Sequence, residues 1–492
     1  MLPATTDVLI VGAGPVGLAT AAALARAGVD VTVVDRAPSA AHTSRAAVVH
    51  AHTLEVLDRI GAATPLVAAG IPAPRFTIRD RDRTLVPVTF AGLPTRYPYA
   101  LMVPQSTTEA VLHDRLTAAG GRVVRGCEAV ALTDHTVTFA GGERVTARYV
   151  VAADGMHSTI RGLAGIGFGP DAPPTDLSAG SSGGGSGPSS PASSPSSSDA
   201  GPTGTSPADR SGTSPADRSG TSPADRSGTS PADRSGTSPA DRSGGPSGGR
   251  SGGRSGGRSG DSSGGESFAL ADVKVDGGPP RDEVVLYFSR AGLLVWAPLP
   301  DGTVRIVAAV DDAPEHPDAA YVQALLDDRG PLRSRARVTD VVWGSRFRVR
   351  HRVADRFRAG PVLLAGDAGH VHSPAGGQGM NLGLKDALAL ADALTETLRS
   401  GSETALDRYA AERRPVAQSV VRFAAQLTRL ATVPAPVRPI RNALLSALAH
   451  VPAFRRRLAY RLSGLDQRLP HAAGAPVGEE STHETDRTAP RA

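Results

Sequence analysis

Asp7-Val8-Leu9-Ile10-Val11 runs straight into Gly12-Ala13-Gly14-Pro15-Val16-Gly17, and this junction decides the fold. A short apolar run that ends in glycine reads as a buried parallel strand. The alanine-rich stretch Leu18 to Ala27, closed by Gly28, predicts a helix, and Val29 to Val34 predicts a second strand ending at Asp35. In such a βαβ unit Gly12 permits the tight turn, Gly14 lets the backbone approach a pyrophosphate, and Gly17 lets the helix pack on the strand. The helix start offers free N–H groups and a partial positive charge to phosphates. Asp35 falls where a carboxylate accepts hydrogen bonds from an adenosine ribose. The motif says dinucleotide and does not separate one dinucleotide from another.

Outward from this unit, composition sets the bounds. The chain has 492 residues, enough for more than one domain, a formal net charge of +5 and one cysteine. So small an excess of positive charge does not point to nucleic acid. A single cysteine excludes an internal disulfide, and a reducing cytoplasm is the expected home. No apolar stretch reaches the roughly 18 residues a membrane span needs. No basic segment precedes Asp7, and glycines interrupt the apolar core that follows, so the opening is not read as a secretory signal.

The clearest internal boundary is a low-complexity block, 177–266. It holds five copies of Thr-Ser-Pro-Ala-Asp-Arg-Ser-Gly from Thr205 to Gly244 and three of Gly-Gly-Arg-Ser from Gly248 to Ser259. Such a composition cannot bury enough surface to offset backbone entropy and predicts a disordered insertion in a surface loop. Its arginines and acids balance, and it has no aromatic residue for stacking on bases. Elsewhere, Phe76 to Thr89 reads as strand–turn–strand, and Ser106 to Gly120 as a helix opened by a capping box, Ser106-x-x-Glu109. Arg122–Leu132, His135–Ala140 and Val145–Ala152 read as strands, with Cys127 in mid-strand. After the insertion, Glu283–Ser289, Leu293–Pro298 and Thr303–Val310 alternate as an antiparallel meander. Val341–Arg350 and Pro361–Ala365 are further strands. Residues 381–399 and 403–430 are helical, as is a basic stretch to about Gly464, and the tail 471–492 looks disordered. Arg455-Arg456-Arg457 with Arg461, Phe454 and Leu458 reads as a solvated helix face, with docking on an anionic membrane as the sharper alternative.

Two further motifs complete the pattern: Ala153-Asp154-Gly155-Met156-His157-Ser158-x-x-Arg161, and Gly366-Asp367-Ala368-Gly369-His370-x-x-x-Pro374-x-Gly376-Gly377-Gln378-Gly379-Met380-Asn381. With the first motif they resemble the single-component FAD-dependent aromatic hydroxylases. These are the para-hydroxybenzoate hydroxylase-like flavoprotein monooxygenases, which include tailoring hydroxylases of aromatic polyketides. The likeness covers nearly all of 5–415 apart from the insertion.

The resemblance implies an α/β fold: a parallel-sheet, Rossmann-like FAD-binding domain, an antiparallel β-sheet substrate domain and a helical C-terminal region packed outside. The expected divisions are 1–75, 101–176 and 341–400 for FAD, 76–100 and 267–340 for substrate, and 401–470 for the helices. It implies FAD, with NADPH or NADH as co-substrate, and flavin contacts from Gly12, Gly14, Pro15, Val16, Gly17, Asp35, Arg36, Arg45, Gln105, Val130, Asp154 and Gly155. Gly366, Asp367, Pro374, Gly377, Gly379, Met380 and Asn381 complete the set. Asp367 can reach a ribitol hydroxyl, and the glycine-rich Pro374–Asn381 loop lets backbone N–H groups approach a flat ring. The helix that follows would favour negative charge on the flavin N1–C2=O edge.

The implied reaction is hydroxylation of a small aromatic molecule with O2 through a flavin hydroperoxide. No obligatory acid is named; Arg45 and Pro374 are the candidates beside the ring. Baeyer–Villiger oxygenation, double-bond reduction and a non-catalytic flavoprotein that binds a planar aromatic stay open, as does monomer or homodimer. His370 and His372 read as polar loop residues, since no carboxylate or cysteine pattern completes a metal site. Phe76, Phe90, Tyr287, Phe288 and Trp296 are available to the substrate pocket, without a sign of which face inward.

Overall fold

The computed structural model describes residues 2–40, 46–169, 267–348, 350–374 and 376–468. The expected insertion 177–266, the tail 471–492 and Arg45 lie outside the described residues. The helices are α1 (Pro15–Arg26), α2 (Ala51–Asp58), α3 (Ala63–Ala69), α4 (Gln105–Ala118), α5 (Thr159–Leu163), α6 (Ala319–Arg329), α7 (Gln378–Ser400), α8 (Thr404–Ala431), α9 (Arg438–Leu448) and α10 (Pro452–Leu462).

Strand Thr5–Val11 lies at the centre of an eight-stranded sheet, between Arg144–Ala152 and Val31–Asp35, parallel to both. Val362–Leu364 extends the parallel set beyond Arg144–Ala152, and Val123–Arg125 extends it on the other side. Val8, Leu9 and Ile10 are fully buried, as the unbroken apolar run requires when helices cover both faces. The register puts Val11 beside Ala152, and Ala152 beside Leu364. Gly12, Ala153 and Gly366 therefore emerge close together, at the carboxyl ends of three neighbouring strands taken from distant parts of the chain. In open parallel sheets that edge is where ligands bind.

The second sheet has seven strands, in the order Ala336–Arg348, Ser267–Gly277, Val304–Ala309, Gly292–Pro298, Glu283–Ser289, Arg75–Asp80, Arg83–Thr89. All neighbours are antiparallel except Glu283–Ser289 with Arg75–Asp80, which run parallel. Residues 341–348 belong to this sheet and not to the parallel one expected to hold them: the strand from Ala336 is continuous and pairs along Ser267–Gly277. One face carries Phe268, Leu270, Val284, Leu286 and Leu293; the other carries Tyr287, Trp296, Val304 and Ile306 under α6. With both faces covered, alternation of apolar and polar residues vanishes, which is why the inward face was illegible.

Other local expectations change. Helix α4 starts at Gln105 after Pro104 and has no side-chain cap, so the capping box at Ser106 does not form. Gln105 instead donates Nε2 to Glu109 Oε1 at 2.8 Å. The single strand expected over Arg122–Leu132 is two, Val123–Arg125 and Ala129–Thr133, broken where Gly126 takes φ +73°. Cys127 sits in that break, half-buried, and not in mid-strand. The C-terminal helices are more than an outer layer: α8 packs on α7, and α9 and α10 pack on Arg83–Thr89.

Candidate active site

The two sheets and the C-terminal helices enclose a cavity of about 560 Å³. Gly14, Pro15 and Val16 enter its wall at the start of α1, Ala153 and Gly155 from the second motif, and Asp367 with Pro374, Gly376, Gly377, Gly379 and Met380 from the third. Facing them are Phe76, Phe268, Leu286, Val295 and Phe347 of the seven-stranded sheet, with Phe90 just after its last strand. Leu427 and Ala431 of α8 and Leu462 of α10 close one side, correcting the expectation that these helices stay outside.

The glycines divide by what a side chain would strike. At Gly12, φ is +108° and a Cβ would sit 2.3 Å from Ala153 O; at Gly17 it would sit 1.9 Å from Gly12 O. These two are packing requirements of the turn. A Cβ on Gly14 would meet nothing within 4 Å, although φ is an ordinary −77°. Its bareness is unused by the protein and leaves a cradle at the start of α1, whose N-terminus has no side-chain cap. Asp35 supports the cradle from below: Oδ2 accepts from Ala13 N at 2.7 Å and Oδ1 from Ala37 N at 2.8 Å.

A second bare helix start faces the same cavity. Gly377, at φ +63°, precedes α7, again with no side-chain cap. Asn381 is fully buried and works inside the protein: Oδ1 accepts from His50 N at 2.8 Å, and Nδ2 donates to Val48 O and Gly377 O at 2.9 and 2.8 Å. It fixes the loop against the segment before α2. Around this loop the amide of Gln378, His50 Nδ1 and His372 Nε2 are buried with no hydrogen-bond partner among the described residues. Buried polar atoms are almost always paired, so such a cluster beside a cavity marks where a polar ligand belongs. Two uncapped helix N-termini, a backbone cradle and orphaned polar atoms fit a dinucleotide whose flat ring reaches the Pro374–Met380 loop.

Of the residues expected at a flavin, Gly14, Pro15, Val16, Gln105, Gly155, Asp367, Pro374, Gly377, Gly379 and Met380 line the cavity. Gly12, Gly17, Asp35, Gly366, Asp154 and Asn381 stand behind it. Asp154 Oδ2 accepts from Thr159 N at 2.8 Å and from Ile160 N at 3.2 Å, holding the start of α5. Arg161 then ties the second motif to the third, donating to Met156 O and Ala368 O. Arg36 is exposed, Val130 is 49% exposed, and neither lines the cavity. Phe76 and Phe90 face the cavity, whereas Tyr287 and Trp296 pack under α6. Among the described residues no His, Cys, Asp and Glu cluster suits a metal ion.

Sequence reasoning missed two buried charge systems. On α7, Asp386 binds His370 Nε2 at 2.6 Å and Arg413 Nε of α8 at 2.7 Å, all three buried. Burial pushes the Asp386 carboxyl up, but Arg413 and His370 outweigh it, so its pKa lies below the usual value. In the cavity wall, Arg305 is 3% exposed, and its Nε and Nη2 both bond Asp272 at 2.7 Å. Its Nη1 has no partner among the described residues.

His50 and His372 line the cavity, and burial lowers their pKa values from 6.5 to about 3 and about 4. Below pH 6.5 the unfolded chain takes a proton at each ring while the folded one does not. Stability therefore falls on acidification, by about 1.4 kcal/mol per pH unit for each histidine. We expect the thermal midpoint to drop between pH 7 and 5, with a shallower slope in His372→Phe. Equal slopes for the two proteins would contradict the assignment.

A family model described as FAD binding domain matches residues 5–176 and 299–424. The 6-methylpretetramide 4-monooxygenase of Streptomyces rimosus is 30% identical over 486 residues, covering 96% of this chain and 71% of that protein. The chain belongs to the FAD-binding aromatic monooxygenase family. Among solved structures, the anhydrotetracycline hydroxylase OxyS of Streptomyces rimosus matches with a TM-score of 0.63 and 29% identity, covering 96% of this chain and 78% of that one. The p-nitrophenol 4-monooxygenase of Pseudomonas putida DLL-E4 shares the fold, with a TM-score of 0.67, 22% identity and coverage of 95% and 100%. This monooxygenase is an FAD enzyme of the aromatic hydroxylase type that draws electrons from NAD(P)H. Among its described residues no helix is long and apolar enough to cross a membrane.

Proposed function

We propose that this monooxygenase holds its isoalloxazine against the backbone between Pro374 and Met380 and hydroxylates a planar, oxygen-bearing aromatic molecule lying between that ring and the seven-stranded sheet. The observation that carries this reading is the shared cavity: two bare helix N-termini on one wall, aromatic and aliphatic side chains on the other. Bound FAD supplies the redox chemistry, two electrons from NAD(P)H and activation of O2, with one oxygen atom passing to substrate and the other to water.

The chain's own residues supply the setting. The Gly14 cradle at the start of α1 would hold the pyrophosphate, and Asp367 and Gln105 would offer polar contacts along the cofactor. The start of α7 would stabilise negative charge on the reduced ring. Phe76, Phe90 and the stacked pair Phe268 and Phe347 form an apolar wall that excludes water and offers a flat substrate an aromatic surface. His372 Nδ1 lies 2.8 Å from Ser373 O, so Nδ1 carries the proton and Nε2 is left as an acceptor. Arg305 offers its spare N–H to a phenolic or carbonyl oxygen. The relatives act, by their names, on a pretetramide and an anhydrotetracycline, and belong with tailoring enzymes of aromatic polyketides. A reducing cytoplasm suits a chain with one free thiol, Cys127.

Arg305→Lys keeps the charge opposite Asp272 and loses the fork. A hydrogen bond from a charged donor is worth about 1.5–3 kcal/mol, so KM should rise about tenfold to a hundredfold with flavin content unchanged. Steady-state kinetics on one accepted substrate checks this. The wider test is a panel of polyhydroxylated aromatics, scored for faster NAD(P)H oxidation, oxygen uptake and one labelled atom from isotopic O2 on a ring carbon. A lactone or a reduced product would overturn the hydroxylase reading.

A further inference from the structure

Four of the eight large hydrophobic side chains exposed among the described residues fall between 437 and 451. They are Val437, Ile440, Leu444 and Val451, exposed by 44%, 70%, 58% and 47%. Spacings of three and four residues align the first three on one side of α9. The flank turned to the protein is firmly held: Leu445 is in the core, and buried Arg441 donates to Phe288 O at 2.9 Å. The stripe is thus the outward face of an anchored helix and not a frayed end.

Charge around it is segregated. From Arg413 to Leu465 the sequence contains ten arginines and neither aspartate nor glutamate, while the whole chain carries only +5. Arg455, Arg456 and Arg457, on α10 just after the stripe, are exposed, and their side chains have no ion-pair or hydrogen-bond partner among the described residues. An apolar helical face beside unpaired arginines is the chemistry of an amphipathic segment lying on a negatively charged bilayer surface.

We propose that the α9–α10 face docks this monooxygenase on an anionic lipid surface, with Ile440 and Leu444 entering the acyl boundary and Arg455–Arg457 meeting the headgroups. A second copy of the chain fits less well. A two-fold interface would set two arginine-rich patches against each other. A protein partner usually finds aromatic anchors, and this stripe exposes none. Docking would also serve catalysis. Leu462 of α10 and Ala431 of α8 line the cavity, so the docked face is the back of the helical layer that walls it.

The test is co-sedimentation of the full chain with phosphatidylglycerol or phosphatidylcholine vesicles, at low and raised salt. The expected result is salt-sensitive binding to phosphatidylglycerol, weaker by about tenfold or more on phosphatidylcholine. Ile440→Glu/Leu444→Glu and Arg455→Gln/Arg456→Gln/Arg457→Gln should each lose the same binding and keep normal flavin content and NAD(P)H oxidation in solution. Absence of vesicle binding overturns the proposal, as does equal binding of both lipids or binding unchanged in both variants. So does a wild-type dimer that Ile440→Glu/Leu444→Glu splits while vesicles capture neither form; that face would then be a contact between copies.

Discussion

Gly14→Val should purify folded and colourless. The valine side chain meets open space at the start of α1, and the backbone there is extended and accepts any residue. The thermal midpoint of the cofactor-free protein should therefore match that of cofactor-free wild type. What the valine would fill is the proposed cradle for the pyrophosphate, so FAD affinity should fall by at least about a hundredfold, close to 3 kcal/mol. Gly12→Val makes the contrast. Its Cβ would collide with the Ala153 carbonyl at a φ that side chains avoid, so it should lower stability as well as flavin content. Absorbance of the purified variants, with thermal unfolding beside it, separates the two glycines. A yellow Gly14→Val protein would remove the cradle from the account.

The second large effect concerns the buried ion network. Arg413→Met leaves the Asp386 carboxylate inside the protein with only His370, and should cost about 3–5 kcal/mol in denaturant unfolding. Replacing both charged partners, Arg413→Met with Asp386→Leu, should cost less than the single change, because no unpaired charge stays buried. Asp386 titrates below the usual carboxylate value, so its contribution is present above about pH 4 and fades as pH falls through the folded pKa. The gap between Arg413→Met and wild type should accordingly narrow in acid. A double variant worse than the single would show that the network stabilises the fold beyond pairing its own charges.

The parts of this enzyme that sequence made legible are those whose chemistry is local in the chain. Gly12, Gly14 and Gly17 sit within six residues, and their strand and helix flank them directly. The long third motif is local in the same way, and Asp367, Pro374, Gly377, Gly379 and Met380 from it do line the cavity. What sequence left dark depends on partners far apart. Arg305 and Asp272 are separated by 33 residues, and Asp386 and Arg413 by 27, with no periodicity linking either pair. Asn381 illustrates a subtler limit. Its place in the motif marks importance, but only the fold reveals that all its side-chain bonds go to Val48, His50 and Gly377. Ser106 misled because Pro104 lets the helix begin a residue earlier, where Gln105 and not Ser106 engages Glu109. The inward aromatics needed the sheet itself, since a strand buried on both faces carries no alternation to read.

The most direct measurement is the flavin content of the purified chain, followed by NAD(P)H and oxygen consumption with aromatic compounds added. The expected result is a yellow protein with one FAD per chain, whose NAD(P)H oxidation accelerates with an aromatic ligand and yields a product carrying one atom from O2. A colourless protein that stays empty when FAD is supplied would contradict it.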